Sequence, residues 1–394
     1  MLRVLACSIV VMAVALGVRQ CLGLFLVPMT AAEVIGRQGF SLGIALQNLA
    51  WGASGPFAGW LADRYGARPV VSVCAVLLAA GIGLMALAPS SESSVFVAGL
   101  LSGVGLTGTT FTVLFGAIAR AHAPADRARA IAWASALGSL GQVVLVPLAQ
   151  WAIQAWGWRP ALWGLCALAL VALPAALCLK RESGAPAGAL TLAGASLSSA
   201  CRDRAYVLVA IGFAACGVQL IFIGTHLPAY LVECGLSAAD GAWALALVGL
   251  FNVIGTVALG RLASRHDPLA LLAGVYALRT AAIVIFVSLP PSSLSAAVFA
   301  AAMGLLWLGV GPVMTQFLGA RFGVAHLSAL FGLMYFSHQI GSFFGAWAGA
   351  ALHDLTASYR AAWWGCVLIG LMAVALTLAA RTPSPGQGLR LRAA

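Results

Sequence analysis

The sequence predicts an all-α membrane protein, with twelve transmembrane helices arranged as two pseudo-symmetric six-helix bundles, and three observations predict it. Hydrophobic residues make up 62% of the 394 and charged residues only 8%, with a mean hydropathy of +1.02, whereas soluble domains carry roughly one-quarter charged residues. Apolar runs of about 20 residues, the length a hydrocarbon layer ~30 Å thick demands of a helix, recur along nearly the whole chain. A short motif also repeats: Gly59 to Arg68 reads G-W-L-A-D-R-Y-G-A-R after the second run, and Gly260 to Asp267 reads G-R-L-A-S-R-H-D after the eighth.

The first run, 4–28, begins like a signal peptide, with Val4 to Cys7 resembling a lipoprotein cleavage box, but no apolar core precedes Cys7 and the run continues through Met29. It is therefore read as a membrane helix. The second, 41–62, leads into the motif, and the third, 69–88, follows it. The fourth, 95–119, holds the glycines of Gly99 to Gly108, which permit close helix approach and, with no G-K-[ST] after them, are not a phosphate loop. The fifth and sixth, 130–152 and 161–179, are flanked by Trp156, Trp158 and Trp163, as amphipathic rings at a membrane interface prefer.

A Gly-, Ala- and Ser-rich stretch over 181–205 then divides an N-terminal bundle, 1–180, from a C-terminal bundle, 206–394, and is read as a cytoplasmic linker. The second bundle repeats the pattern with spans at 206–231, 241–262, 268–289, 295–319, 328–351 and 362–380. Gly341 to Gly349 lie in the eleventh, and Trp363 and Trp364 place the twelfth beside the same outer interface as the fifth and sixth.

A formal charge of +11 raises the question of nucleic acid, but the Arg residues sit in short turns between apolar runs and form no basic face, so no nucleic-acid partner is expected. They read instead as a topology signal. With a cytoplasmic N-terminus, inside loops and termini hold sixteen of the 21 Lys and Arg. That asymmetry predicts a multi-pass protein of the bacterial inner membrane with both termini cytoplasmic. Nine Cys are scattered without a C-x-x-C pair, so neither metal nor other cofactor is expected. No grouping of nucleophile and base falls within the spans, which excludes an enzyme.

The first copy of the motif follows G-x-L-A-D-R-x-G-x-R, and on it the chain resembles the major facilitator superfamily. Gly59 and Gly66 permit close backbone approach, while Asp63, Arg64 and Arg68 can bridge helix ends and so gate one conformation. Gly17 to Pro28 (G-V-R-Q-C-L-G-L-F-L-V-P), Gly36 to Ser41 (G-R-Q-G-F-S), Thr225 to Leu231 (T-H-L-P-A-Y-L) and Ser337 to Ser342 (S-H-Q-I-G-S) are similar to the bacterial monocarboxylate and oxalate:formate antiporter-like group. The resemblance implies a carrier working by alternating access, with helices 1, 4, 7 and 10 lining a central cavity. One departure is plain: where monocarboxylate porters carry an Asp and an Arg one turn apart in helix 8, this chain has Asn252 and Thr256.

Every acidic residue falls in a loop or at a helix end, so the intramembrane charges are Arg19 in helix 1 and Arg279 in helix 9. Each costs roughly 2.5 to 3.5 kcal/mol on insertion scales. Two cations without an internal counter-ion invite an anion, and a guanidinium can take a carboxylate through two parallel hydrogen bonds. Arg19 is the primary candidate. Arg279 lies on a peripheral helix, where a structural link to neighbours is the competing reading.

Gln20, Gln219, Asn252 and Gln316 place amides at inward-capable positions. His338 and Gln339 sit near the middle of helix 11, with His338 the candidate proton carrier, and His226 beside Pro228 is a candidate gate. Thr107, Thr109, Thr110 and Thr112 can line the cavity or bond their own backbone, and Trp307 can cover an apolar tail or simply pack. The sequence thus points to a monomeric carrier of small, monocarboxylate-like organic anions, antiporter or symporter, with a proton as possible co-substrate. The alternative is an exporter of drugs or other apolar solutes.

Overall fold

The computed structural model describes residues 2–87, 92–179, 198–323 and 327–381. They form twelve long helical units: α1 (Leu2–Ala31), α2 (Arg37–Tyr65), α3 (Ala67–Leu87), α4 (Glu92–Ala121), α5 (Pro124–Trp156), α6 (Trp158–Leu177), α7 (Arg204–Glu233), α8 (Ala238–Ala263), α9 (Pro268–Ser288), α10 (Ser293–Phe322), α11 (Leu327–Thr356) and α12 (Arg360–Arg381). Ten of them are long and apolar enough to cross a membrane. The two below that mark, α2 and α11, carry Gln47, Asn48, His338 and Gln339 in mid-helix and pack against each other. Their polar faces meet protein, not lipid.

Local chemistry sets the ends. Asp203 caps α7 by accepting from Tyr206 N, Asp267 caps α9 by accepting from Leu269 N and Ala270 N, and Ser237 with Asp240 closes a reciprocal capping box on α8. Gly66 and Gly157 end α2 and α5 at φ +87°, backbone that side chains rarely adopt. Three helices are not continuous: α1 tightens to a 3-10 turn over Leu22–Phe25, α4 is interrupted at Thr110, and α10 between Leu305 and Val310.

Equivalent packing pairs recur six helices apart. In the first half α1 packs on α5, α2 on α4 and α3 on α6; in the second α7 packs on α11, α8 on α10 and α9 on α12. The repeat reaches individual contacts. A Cβ on Gly141 would collide with the carbonyl of Ala13, and one on Gly341 with the carbonyl of Ala214, so bare backbone lets α1 meet α5 and α7 meet α11 in the same way. The halves meet along α2–α11 and α5–α8. At one place α1 and α7 also touch, where Gly23 lies against the carbonyl of Gly224.

The expected spans fall inside these helices, which run further at several ends. α5 begins at Pro124, which supplies the fixed φ of a first helical position, and α11 extends to Thr356. The expected linker over 181–205 lies largely outside the described residues, which resume at 198 with a helical turn before Asp203. One expectation is corrected: Trp363 is no interfacial ring. It is fully buried and packs with Phe222, Tyr230, Phe286 and Phe299, whereas Trp156 and Trp163 are exposed.

Candidate functional site

Arg19 stands where α1 gives way to its 3-10 turn, midway between the two ends of the molecule. Its Nη2 donates to Asn48 Oδ1 on α2 at 3.1 Å, and its guanidinium lies over the Trp51 ring, 5.0 Å from the centroid. Trp51 is fixed in turn by its indole N–H, which donates to Thr110 Oγ1 at 3.1 Å, at the interruption of α4. Among the described residues no Asp or Glu pairs with Arg19, and its Nε is buried without a hydrogen-bond partner. An unmet charged donor in such a place costs about 1–3 kcal/mol or more, which a ligand can recover.

Arg19 borders a central cavity of about 20 Å³, room for roughly one water. The first half contributes Gln20, Gln47 and Asn48; the second contributes Leu220, Ile221, Thr225 and Trp307. The first half also contributes Leu22, Gly23 and Ile44, so its wall is mixed but carries the cavity's charge and amides, while the second half's wall is mostly apolar. Gln20 is buried with its Nε2 unpartnered, whereas Gln47 donates to Ser102 Oγ at 2.8 Å. Gln339 reaches this region from α11, donating to the Asn48 carbonyl at 3.2 Å. His338 lies one step behind, its Nδ1 3.0 Å from Gln339 Oε1 and its ring stacked on Tyr335, which meets Trp51 edge-on. Arg19, Gln20, His338 and Gln339 thus belong to one connected region.

Other candidates sit elsewhere. Gln219 turns away from the cavity and donates to the Cys366 carbonyl on α12 at 2.9 Å, because its face of α7 packs on that helix. Arg279 is fully buried outside the cavity wall, donating to Cys216 Sγ at 2.9 Å and to the carbonyls of Leu306 and Trp307. Asn252 accepts from Leu308 N at 2.9 Å and donates to Ser139 Oγ across the α5–α8 contact at 3.1 Å, with Thr256 on its carbonyl at 3.3 Å. Gln316 is exposed in the second segment of α10, past the break and outside the cavity lining. The hydroxyls of Thr107, Thr109 and Thr110 bond carbonyls of their own helix.

The end opposite the termini is joined across the halves by charge. Arg37, at the start of α2, contacts Glu233 Oε1 on α7 at 3.3 Å and Asp354 Oδ1 on α11 at 3.9 Å, and donates to the Tyr359 hydroxyl. His353 lies 2.7 Å from the same Glu233 oxygen. His226, wholly buried, is 3.2 Å from the Tyr359 hydroxyl and 2.8 Å from the Ala346 carbonyl, so it braces this cluster from within the second half. At the termini end, the ion pairs among the described residues stay within one half. Asp63 pairs with Arg120 of α4 at 3.0 Å, Asp203 with Arg321 at 2.7 Å and Asp267 with Arg381 at 2.8 Å.

Arg64 of the motif lies over the Trp60 and Tyr65 rings, Arg68 is in the first turn of α3, and Gly59 faces Thr112 with room to spare. Burial alone would raise the Asp203 carboxyl, but the two hydrogen bonds from Arg321 and that from Tyr206 N outweigh it and hold the group below the usual carboxylate range. Sequence reasoning passed over Arg37, Asn48 and Trp51 as site residues. The pair Gln47-Asn48 in mid-helix is the available signal for the α2 site; Arg37 falls in the Gly36 to Ser41 stretch, but its partners lie about 200 or more residues away and no local pattern names them.

Residues 8–346 match the family model described as Major Facilitator Superfamily. The chain is 27% identical over 375 residues to Monocarboxylate transporter 13 of Bos taurus, covering 93% of this chain and 86% of that one. It is 27% identical to Monocarboxylate transporter 11 of Mus musculus, over 83% and 74% of the two chains. To the uncharacterized MFS-type transporter YcxA of Bacillus subtilis it is 24% identical, over 90% and 89%. Among solved structures, the nucleoside transporter NupG superposes with a TM-score of 0.79 over 96% of this chain and all of the other, at 12% identity, a likeness of fold.

Proposed function

The chain belongs to the major facilitator superfamily and is a multi-pass membrane transporter, not an enzyme, and on that premise we propose that it carries small organic anions of the monocarboxylate type. The observation that carries the proposal is Arg19: a guanidinium in the central cavity, unpaired with any carboxylate among the described residues and with a buried donor unmet. A cargo carboxylate satisfies it by two parallel charge-assisted bonds. Arg279 lies outside the cavity lining and donates to helix carbonyls, so the cavity offers one cation, which favours one carboxylate over two. Leu220, Ile221 and Trp307 then face a short apolar tail. That the names of the mammalian relatives include monocarboxylate transport agrees with this reading.

The halves 1–180 and 206–394 rock about this site, with 181–205 as the tether. With the termini cytoplasmic in a bacterial inner membrane, the Arg37 cluster closes the outer face and the present state is shut to the outside. A cavity with room for roughly one water must widen to admit cargo, which the parting of α2 from α11 provides. The gradient of the anion, exchanged or accompanied by a proton held near His338, supplies the driving force. Uptake of labelled short monocarboxylates into proteoliposomes tests the proposal. Arg19→Gln abolishes uptake and Arg19→Lys keeps a weakened form of it; undiminished uptake by Arg19→Gln refutes it.

A further inference from the structure

Four residues, 306–309, separate the two segments of α10, and two neighbouring helices hold this break. The first segment ends at Leu305, Leu306 leaves the helix with φ −103° and ψ 7°, and the second segment begins at Val310. From α8, Asn252 Oδ1 accepts the Leu308 N–H at 2.9 Å. From α9, the Arg279 guanidinium donates to the carbonyls of Leu306 and Trp307, groups that an uninterrupted helix would have bonded four residues on. These carbonyls lie just past the C-terminal, negative end of the first segment, a setting in which a cation is stabilised without a carboxylate. Gly309 completes the fit: a Cβ there would press on Leu259 and the Gly255 carbonyl, so α8 lies directly against the break.

Trp307 sits between the two pins, 4% exposed, and lines the same cavity as Arg19. We propose that Arg279 and Asn252 are positioning residues that fix the depth of Trp307 in the cavity, making this indole the gauge of how large a cargo tail is accepted. The proposal rests on the reading of the cavity as a carboxylate site. It gives the fully buried Arg279, which does not line the cavity, a task in transport distinct from binding the anion.

Two measurements on the full-length carrier in nanodiscs or proteoliposomes test it. The first is independent of cargo: hydrogen exchange of the Leu308 amide quickens by about tenfold in Arg279→Gln and in Asn252→Ala, while the rest of α10 keeps its protection. The second is the ratio of kcat/KM for a branched four-carbon monocarboxylate to that for acetate. A wall displaced by about a methylene's width changes this ratio by about tenfold. The ratio rises in Arg279→Gln and Asn252→Ala, is partly restored in Arg279→Lys, and moves no further when either change is added to Trp307→Ala. If Arg279→Gln does not fold, Asn252→Ala and Arg279→Lys carry the same reading.

Uniform loss of uptake for both acids with an unchanged ratio, or unchanged exchange at Leu308, overturns the proposal. If the wild-type carrier takes up neither acid, the carboxylate reading and the size gauge fall together, while pinning of the break still stands or falls on the exchange result.

Discussion

Replacing Arg37 by Gln removes the first half's charge from the cluster that joins the halves at the end opposite the termini. Arg37 contacts Glu233 at 3.3 Å, Asp354 at 3.9 Å and the Tyr359 hydroxyl, and its side chain is 21% exposed, against 36% and 38% for the two carboxylates. Fully exposed ion pairs contribute about 0.2–1 kcal/mol each and hydrogen bonds to charged groups about 1.5–3 kcal/mol. For half-buried groups at these distances the sum is about 2 kcal/mol, all of it present only while this end is closed. Its loss shifts the balance between closed and open states by roughly 30-fold.

Hydrogen–deuterium exchange of the carrier in nanodiscs reads that shift. Peptides covering the starts of α2 and α12 exchange faster in Arg37→Gln, while those covering Asp63 and Arg120 do not. Glu233→Gln added to Arg37→Gln gives little further change at the start of α2, because the pair across the halves is already broken and the other partner of Glu233, His353, lies in its own half. Wild-type exchange at the starts of α2 and α12 in a folded Arg37→Gln protein would refute the latch.

Asn48→Ala takes from Arg19 its 3.1 Å acceptor and leaves the guanidinium resting on the Trp51 ring without that anchor, so KM for a carboxylate in proteoliposome uptake rises by about tenfold, equivalent to ~1.4 kcal/mol. Asp203→Asn keeps a good helix cap but discards the ion pair with Arg321. Because the Asp203 carboxyl is held below its ordinary value, its contribution is complete above that value and is lost as pH falls through the lowered one. The gap in thermal midpoint between wild type and Asp203→Asn is therefore widest near neutral pH and closes below about pH 4. Gly141→Val drives a side chain into the Ala13 carbonyl and forces α1 from α5, costing about 1–3 kcal/mol or more; thermal unfolding in detergent shows the loss, and Gly341→Val shows the same loss at the α7–α11 contact.

The helices were legible because a run of some 20 apolar residues is at home in few settings besides a bilayer, and the repeated motif located the two halves. Arg19 was legible for the same reason: a charge inside such a run is costly and needs a purpose. The direction in which a polar side chain points was not. Gln219 and Gln20 look alike in sequence, yet one serves a carbonyl of α12 and the other lines the cavity, since a helix's rotation is set by small residues such as Gly217 and Gly341 on packing faces. The break in α10 carries no proline at its centre, and the partners of Arg279 are backbone carbonyls, which every residue possesses and no sequence pattern advertises. The Arg37 cluster draws on α2, α7, α11 and the turn before α12, so only tertiary structure assembles it.

Affinity for a short carboxylic acid and for its neutral amide, matched in shape and measured on the purified carrier by titration calorimetry, tests most directly whether Arg19 selects the cargo. Two charge-assisted bonds to the guanidinium predict that the acid binds roughly a hundredfold more tightly than the amide, about 3 kcal/mol, and that Arg19→Gln erases the difference. Equal affinities in the wild type, or a preference for the acid that survives Arg19→Gln, would contradict the account.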